Sequence, residues 1–379
     1  MKIVDVCAFY SPRGGGVRTY VEQKLAIGPR LGHEIVILAP GETHAVHEYG
    51  EGARIVTIPS PRFPLDRKYR YFDDEPALHR TLDELAPNFV EVSSPWRSPS
   101  MVLRWQGAAR RSLFMHADPL SAYAYRWFQP LFQRATIDRQ FGRFWEHLRA
   151  LGRKFDLTVC ANLDLSRRLA EGGVANVATH AMGVEAGLFS PARRDPRLRA
   201  DLLAQCALPP NAHLLVGAGR LAPEKRWPMV IEAVGAASHQ APIGFVLLGE
   251  GRERWAVRKA IAGNPHIRLF EPLRHRETFA AILASADAVI HGCEAETFCM
   301  VAAEARASGT PVIVPDQGGA ADHAAGGAGT RYRAADPASA AQAILQTLRE
   351  PRPARPPGPS RTNREHFAEL FAHYAALEG

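Results

Sequence analysis

The stretch His291–Gly319, HGCEAETFCMVAAEARASGTPVIVPDQGG, sets two carboxylates, Glu296 and Glu304, with seven residues between them. It is framed by two short apolar runs, DAVIHG and TPVIVPD, that read as buried strands, with a helix between them. Glu296 then falls in the loop leaving the first strand, and Glu304 on the helix that follows. A helix N-terminus offers backbone N–H groups to an anion, while fixed carboxylates accept hydrogen bonds from hydroxyls. A ligand carrying both phosphate and hydroxyls, such as a sugar nucleotide, suits that arrangement.

Working outward, the same strand–helix rhythm fills the chain. HLLVGAGR, GFVLLGEG and HIRLFEPL precede DAVIHG and TPVIVPD in a second series. KIVDVCAF, HEIVILAP, ARIVTIP, NFVEVSS, SLFMHA, LTVCANL and VATHAMG make a first, with a helix expected over Val17–Leu31. Alternation of this kind predicts parallel βαβ units and an α/β fold of two doubly wound domains. The seam is expected near Met182–Pro191, giving domains at 1–183 and 184–355. EPRPARPPGP, Glu350–Pro359, reads as an extended strap. NREHFAELFAHYAALE resumes a helical period, so 356–379 is expected to cross back as a helix onto the first domain.

At 379 residues the chain suits two cores rather than one. No run approaches the roughly 20 apolar residues that span a bilayer, and MKIVDVCAFYSP lacks the marks of a signal peptide, so a soluble, cytoplasmic protein is expected. Cys7, Cys160, Cys206, Cys293 and Cys299 form no CxxC pair, which favours buried thiols over disulfides or zinc. The net charge of +7 is spread out; it argues against nucleic acid as partner and favours anionic ligands or an anionic membrane surface.

Gly14, Gly15 and Gly16 follow the first strand and open a helix, a tight turn or a place for close backbone approach to an anion. They match neither GxGxxG nor a P-loop. In GAGRLAPEKRW, Gly219 ends a strand and Arg220 and Lys225 follow, at the carboxyl-end position where open α/β sheets bind ligands. Such cations suit a diphosphate; a solvated charge cluster is the alternative. Over Pro130–Asp156 the apolar residues Phe141, Phe144, Trp145, Leu148, Leu151 and Phe155 recur at helical spacing, so one helix packed on the sheet is expected, against a membrane-lying one.

Together the Gly-rich first turn, the GRL-xxx-K loop, the Glu296/Glu304 pair within ETF…E…ASGTPVIV, and GG-xx-D at Gly318–Asp322 resemble family 4 of the retaining glycosyltransferases along nearly the whole chain. The resemblance implies a GT-B fold, two Rossmann-like domains facing across a cleft. It implies that Arg220 and Lys225 bind the donor diphosphate, that Glu304 takes the ribose hydroxyls, and that Glu296 faces the transferred sugar. The backbone of Thr297, Phe298, Cys299 and Met300 would close over sugar and phosphate, Gly15, Gly16 and Gly219 would line the donor, and His116 would match a histidine near the donor's sugar. Two departures stand out: the usual E-G-F-G is Glu296-Thr297-Phe298-Cys299, so positive φ in that loop becomes costly. Glu185 and Asp322 are same-charge exchanges.

The implied activity is metal-independent transfer of a hexose from a UDP- or GDP-sugar to a hydroxyl acceptor, lipid or lipid-linked, with retention and without a cofactor. No DxD motif stands out; Asp73-Asp74 reads as solvated. A double displacement would need a carboxylate nucleophile, for which Asp118 is the candidate by sequence; same-face substitution is the preferred alternative. RFPLDRKYRYF (Arg62–Phe72) and AYAYRWFQPLF (Ala122–Phe132) are basic and aromatic, suited to an acceptor cleft or an anionic membrane. A UDP-N-acetylhexosamine 2-epimerase and a non-catalytic nucleotide-sugar binder remain as rival readings.

Overall fold

Among the described residues, fourteen strands in two sheets carry the architecture. The computed structural model describes residues 1–8, 10, 15–64, 69–93, 95–128, 131–273, 275–350 and 361–378. Gly14, residues 65–68 and 129–130 of the two basic-aromatic stretches, and 351–359 of the proline-rich segment lie outside the described residues. By internal contacts the chain divides into one unit of Met1–Met182 with Asn363–Gly379, and another of Gly183–Thr362.

In the first unit, β1 (Lys2–Val6), β2 (Glu34–Gly41), β3 (Ala45–Gly50), β4 (Ala53–Pro59), β5 (Phe89–Val92), β6 (Arg110–Phe114), β7 (Leu157–Cys160) and β8 (Val177–Thr179) form one sheet in the order β3-β4-β2-β1-β5-β6-β7-β8. Every pairing is parallel except β3 with β4. β1, β5 and β7 are buried almost throughout because helices cover a parallel sheet on both faces. In the second unit, β9 (His213–Ala218), β10 (Ile243–Leu248), β11 (Ile267–Phe270), β12 (Ala288–Ile290), β13 (Val312–Pro315) and β14 (Gly329–Tyr332) are all parallel, in the order β11-β10-β9-β12-β13-β14. That is the Rossmann order, with the strand order reversing between β9 and β12; ligands of such sheets sit outside the strand ends at this reversal.

The last helix, Asn363–Glu378, belongs to the first unit. Its aromatic face explains the docking: Tyr374 stacks on Phe89 at 4.0 Å, Phe367 tilts against Tyr20, and Phe371 meets His33.

Three local expectations change. The first helix ends at Ile27, because Pro29 cannot continue it and starts a short 3-10 turn, Pro29–Leu31. The helix expected over Pro130–Asp156 is two, Arg134–Gln140 and Gly142–Gly152. Phe141 leaves helical geometry (φ −92°, ψ 22°) and its carbonyl accepts from both Phe144 and Trp145. Its stripe is nonetheless core: Trp145, Leu148, Leu151 and Phe155 are buried in the first unit's main cluster. Just before it, Tyr123, Trp127 (57% exposed), Phe128, Leu131 (77%) and Phe132 face solvent. The antiparallel edge strand β3, which the sequence reading did not anticipate, is mostly exposed. All five cysteines are buried, and none is disulfide-bonded. No helix among the described residues is long and apolar enough to cross a membrane.

Candidate functional site

The reversal between β9 and β12 gathers charge. β9 ends at Ala218 and runs into Gly219, whose φ of +154° suits glycine, and the chain turns through the 3-10 segment Pro223–Lys225 into the helix Trp227–Ser238. Arg226 caps that helix in the left-handed region (φ 50°), a conformation held by its bidentate ion pair with Glu294. Lys225 is thereby turned to the end of β12, where its ammonium donates to Oε1 of Glu296. His291, the first residue past β12, approaches the same oxygen with Nε2 at 2.8 Å.

Glycines let these loops meet backbone to backbone. A Cβ on Gly292 would fall 2.6 Å from the Lys225 carbonyl oxygen, and one on Gly318 2.2 Å from that of Glu294. Gly319 donates its N–H to the Glu296 carbonyl at 2.7 Å. His323 donates Nε2–H to the Phe298 carbonyl at 2.7 Å and sets its ring edge against Phe298. The loop carrying Glu296 is thus fixed from beneath by the GG-xx-D segment.

Burial alone would push the Glu296 carboxyl up, but the Lys225 ammonium and His291 outweigh it and hold it far below the usual carboxylate range. Burial likewise opposes the Lys225 charge, and Glu296 more than offsets it. The pair is ionised and partly open, at 14% and 19% side-chain exposure. Glu304, on the helix Met300–Ala307, is 4% exposed and accepts from Arg276 at 3.0 Å. Burial raises it to about 7, against the lowering influence of Arg276. Arg276 also lies over the Phe189 ring and within 3.8 Å of Glu185.

The missing loop glycines have unequal consequences. Cys299 takes φ +71° at the helix start, whereas Thr297 stays out of the left-handed region. Only one of the two positions carries the backbone cost, about 1–2 kcal/mol for a non-glycine residue.

Lys225 and Glu296 therefore meet, Glu304 follows on the next helix, and Arg220 stands at the strand end, 62% exposed and paired with Glu224 at 3.1 Å. The remaining candidates lie in the first unit. His116 stacks on Phe114 at 4.2 Å with its edge toward Tyr20, and burial lowers its pKa to about 4, so it is neutral at pH 7. Asp118 accepts from the Ser121 hydroxyl at 2.5 Å and backbone at 3.2 Å, and pairs with Arg168. Gly15 and Gly16 open the helix Gly16–Ile27, with no atom within 4 Å of where a side chain would go.

His291, Arg226, Glu294 and Arg276 were not singled out from sequence. The first three adjoin predicted positions, and a polar residue ending a buried strand at the sheet reversal is the signal that marks His291. Arg276 has none, since its contact with Glu304 exists only in the folded unit. Donor atoms of His291, Glu296 and Cys299 lie within 4.8 Å of one another and could hold a metal. Against that, Lys225 already neutralises Glu296, and burial with the Glu296 charge keeps the Cys299 thiol protonated.

The family model of the glycosyl transferases group 1 matches residues 212–350, and that of the glycosyl transferase 4-like domain matches 15–183. A GDP-mannose-dependent alpha-mannosyltransferase of Mycobacterium tuberculosis is 30% identical over 333 residues, 85% of this chain and 81% of its own. A GDP-mannose-dependent alpha-(1-6)-phosphatidylinositol dimannoside mannosyltransferase of the same species is 30% identical over 315 residues, 83% and 79%. Among solved structures, sucrose-phosphate synthase from Thermosynechococcus elongatus superposes with a TM-score of 0.72 at 19% identity, covering 100% of this chain and 96% of that one. Anabaena Alr3699/HepE in complex with UDP and glucose gives 0.66 at 15%, covering 100% and 97%. These structural likenesses establish the GT-B fold.

Proposed function

The chain belongs to family 4 of the glycosyltransferases, the glycosyl transferases group 1, and on that premise we propose that it transfers a mannosyl residue from GDP-mannose to a hydroxyl of a lipid-linked acceptor, with retention of configuration. A nucleotide-sugar-dependent hexosyltransferase is the coarser statement, and the family supports it directly. The observation that carries the reading is the Lys225–Glu296–His291 cluster at the β9/β12 reversal.

As the glycosidic bond breaks, negative charge grows on the leaving diphosphate. The Lys225 ammonium, the Arg220 guanidinium and the first N–H groups of the helix at Met300 meet that charge where it develops, usually the largest catalytic contribution. Glu304 receives the ribose hydroxyls once Arg276 yields its carboxylate, and Glu296 receives hydroxyls of the sugar. His116 acts as a neutral partner to the sugar. No metal is required by these groups, whose cations already balance the diphosphate.

The pairing of Asp118 with Arg168 and Ser121 favours same-face substitution, since a carboxylate engaged on both oxygens is a poor nucleophile. The departing phosphate then takes the acceptor proton. Exposed Tyr123, Trp127, Leu131 and Phe132, with Arg126 among them, suit a peripheral site on an anionic bilayer where a lipid acceptor resides. Both mannosyltransferase relatives support the donor, and the dimannoside enzyme supports a lipid acceptor.

Acceptor-independent hydrolysis over a panel of GDP- and UDP-sugars tests the donor: GDP-mannose should turn over fastest. Faster conversion of UDP-N-acetylglucosamine to its 2-epimer, or binding without any turnover, refutes the reading in favour of the corresponding rival. An α-linked product from the α-linked donor checks retention, and equal partitioning onto neutral and anionic vesicles removes the membrane part.

A further inference from the structure

Glu296 is held asymmetrically. Both its donors, Lys225 Nζ and His291 Nε2, converge on Oε1, and among the described residues no hydrogen bond reaches Oε2. A carboxylate tied by one oxygen presents the other, so the pair of donors decides which way the free oxygen faces.

The two donors differ in how firmly they are placed. Lys225 sits on a flexible stem, and under the proposed mechanism its charge is shared with the diphosphate, so it turns toward phosphate when donor binds. His291 cannot follow. It is 1% exposed, its ring stands edge-on to the buried Trp227 indole at 6.0 Å, and its carbonyl accepts from the Tyr332 hydroxyl at 2.7 Å. Trp227 is itself anchored, donating Nε1–H to the Arg220 carbonyl at 2.9 Å. The Nδ1 atom of His291 is buried with no partner among the described residues. An N–H there would be left unsatisfied, whereas a proton on Nε2 meets Oε1 of Glu296, so the ring places its donor on Nε2.

We propose that His291 is a positioning residue: its Nε2–H holds Oε1 of Glu296 while Lys225 engages the diphosphate, keeping Oε2 aimed at a hydroxyl of the transferred hexose. The proposal rests on the functional reading above and adds to it a division of labour. The lysine serves the leaving group, and the histidine keeps the sugar's acceptor atom in place. Loss of His291 then harms recognition of the sugar and its transition state, and spares the nucleoside diphosphate.

The full-length chain carrying His291→Phe or His291→Gln tests this. Phe fills the space without a donor; Gln restores an N–H near the Nε2 position. Kd for GDP alone, and kcat and KM for GDP-mannose, are measured for each, with melting curves to count folded protein. We expect Phe to lower kcat/KM by about 10- to 100-fold, the loss typical of a hydrogen bond to a charged group. GDP affinity should stay within about twofold, and Gln should recover most of the loss. The acid limb of the pH–rate profile should move to higher pH in the Phe variant, because Glu296 has lost a donor that favours its ionised form. Equal turnover in Phe and wild type, Gln no better than Phe, or GDP affinity falling in step with turnover each overturns the proposal. Nitrogen-15 spectra of histidine-labelled wild-type chain give a reading independent of variants and of turnover. A proton on Nε2 of His291 supports the proposal; an Nδ1–H tautomer with a bare Nε2 refutes it. A wild-type chain that turns over no nucleotide sugar defeats the functional reading alone, and the spectra still decide the hydrogen bond.

Discussion

Each unit places a lysine against carboxylates at the reversal of its sheet, and the two clusters differ in where along the strand the carboxylates are attached. In the first unit Asp5 and Glu91 lie within β1 and β5, neighbours in the middle of the sheet, and Lys24 reaches them from the helix Gly16–Ile27 at 3.0 and 2.7 Å. All three side chains are fully buried. The remaining acceptor capacity is taken up: Ser93 donates to Asp5 at 2.7 Å and Tyr374 to Glu91 at 2.7 Å. In the second unit Glu296 lies past the end of β12, its partners crowd one oxygen, and part of the cluster meets solvent. A charge cluster inside the strands has no room for a ligand and serves the fold. The same chemistry a few residues further along, beyond the strand ends, has an open coordination position and serves binding. Residue type alone does not separate the two; placement relative to the strand terminus does.

That contrast can be broken at its strongest point first. Lys225→Ala is expected to lower kcat for nucleotide-sugar turnover by about a thousandfold, with a melting temperature within a few degrees of wild type. Steady-state kinetics beside a thermal melt would check this, and a collapse of stability with activity intact would erase the distinction. Lys24→Ala should do the reverse, costing about 3–5 kcal/mol in urea denaturation by leaving two carboxylates buried without their cation. Whatever fraction remains folded should retain its GDP affinity.

Glu304 sharpens the comparison through pH. Its carboxyl titrates at about 7 in the folded unit against an ordinary 4.5, because burial disfavours the charge. Between those values the native state holds a proton that the unfolded chain has released. The stability contributed by this group is therefore complete below about 4.5 and is lost as pH rises through 7, by at most about 3 kcal/mol. Ligand binding runs the other way: the ionised form is the better acceptor for ribose hydroxyls, so GDP affinity should rise about three- to tenfold from pH 6 to pH 8. Calorimetric titration of wild type and Glu304→Gln at both pH values tests both signs, the variant being flat in each. The smallest effect concerns the strained loop. Cys299→Gly should exceed Cys299→Ala in stability by about 1 kcal/mol, since both lose the thiol and only glycine accepts φ +71° freely.

How far these features were legible depends on whether they are local. The ETF frame, the strand ends just before Gly219 and at Ile290 and the helix bearing Glu304 follow from strand–turn–helix chemistry written in contiguous residues. β3 was missed because AVHEYG is short, polar and exposed, without the alternation that marks a half-buried strand. The break at Phe141 was hidden because apolar spacing runs on through it while the backbone resets at Gly142. Arg276 on Glu304 and Tyr374 on Glu91 join residues far apart in sequence, and no pattern in either segment announces its partner.

The helix Asn363–Glu378 closes the first unit from the far end of the chain. On a ribosome the strands of that unit emerge before the second unit and its last helix after it. Its Phe89 ring waits for Tyr374, and its Glu91 carboxylate for the same side chain's hydroxyl, through the whole translation of the second unit. The nascent first unit therefore keeps an apolar face uncovered until that helix is made. A message cut a few codons short of Tyr374 yields a protein whose second unit is complete and whose first never closes.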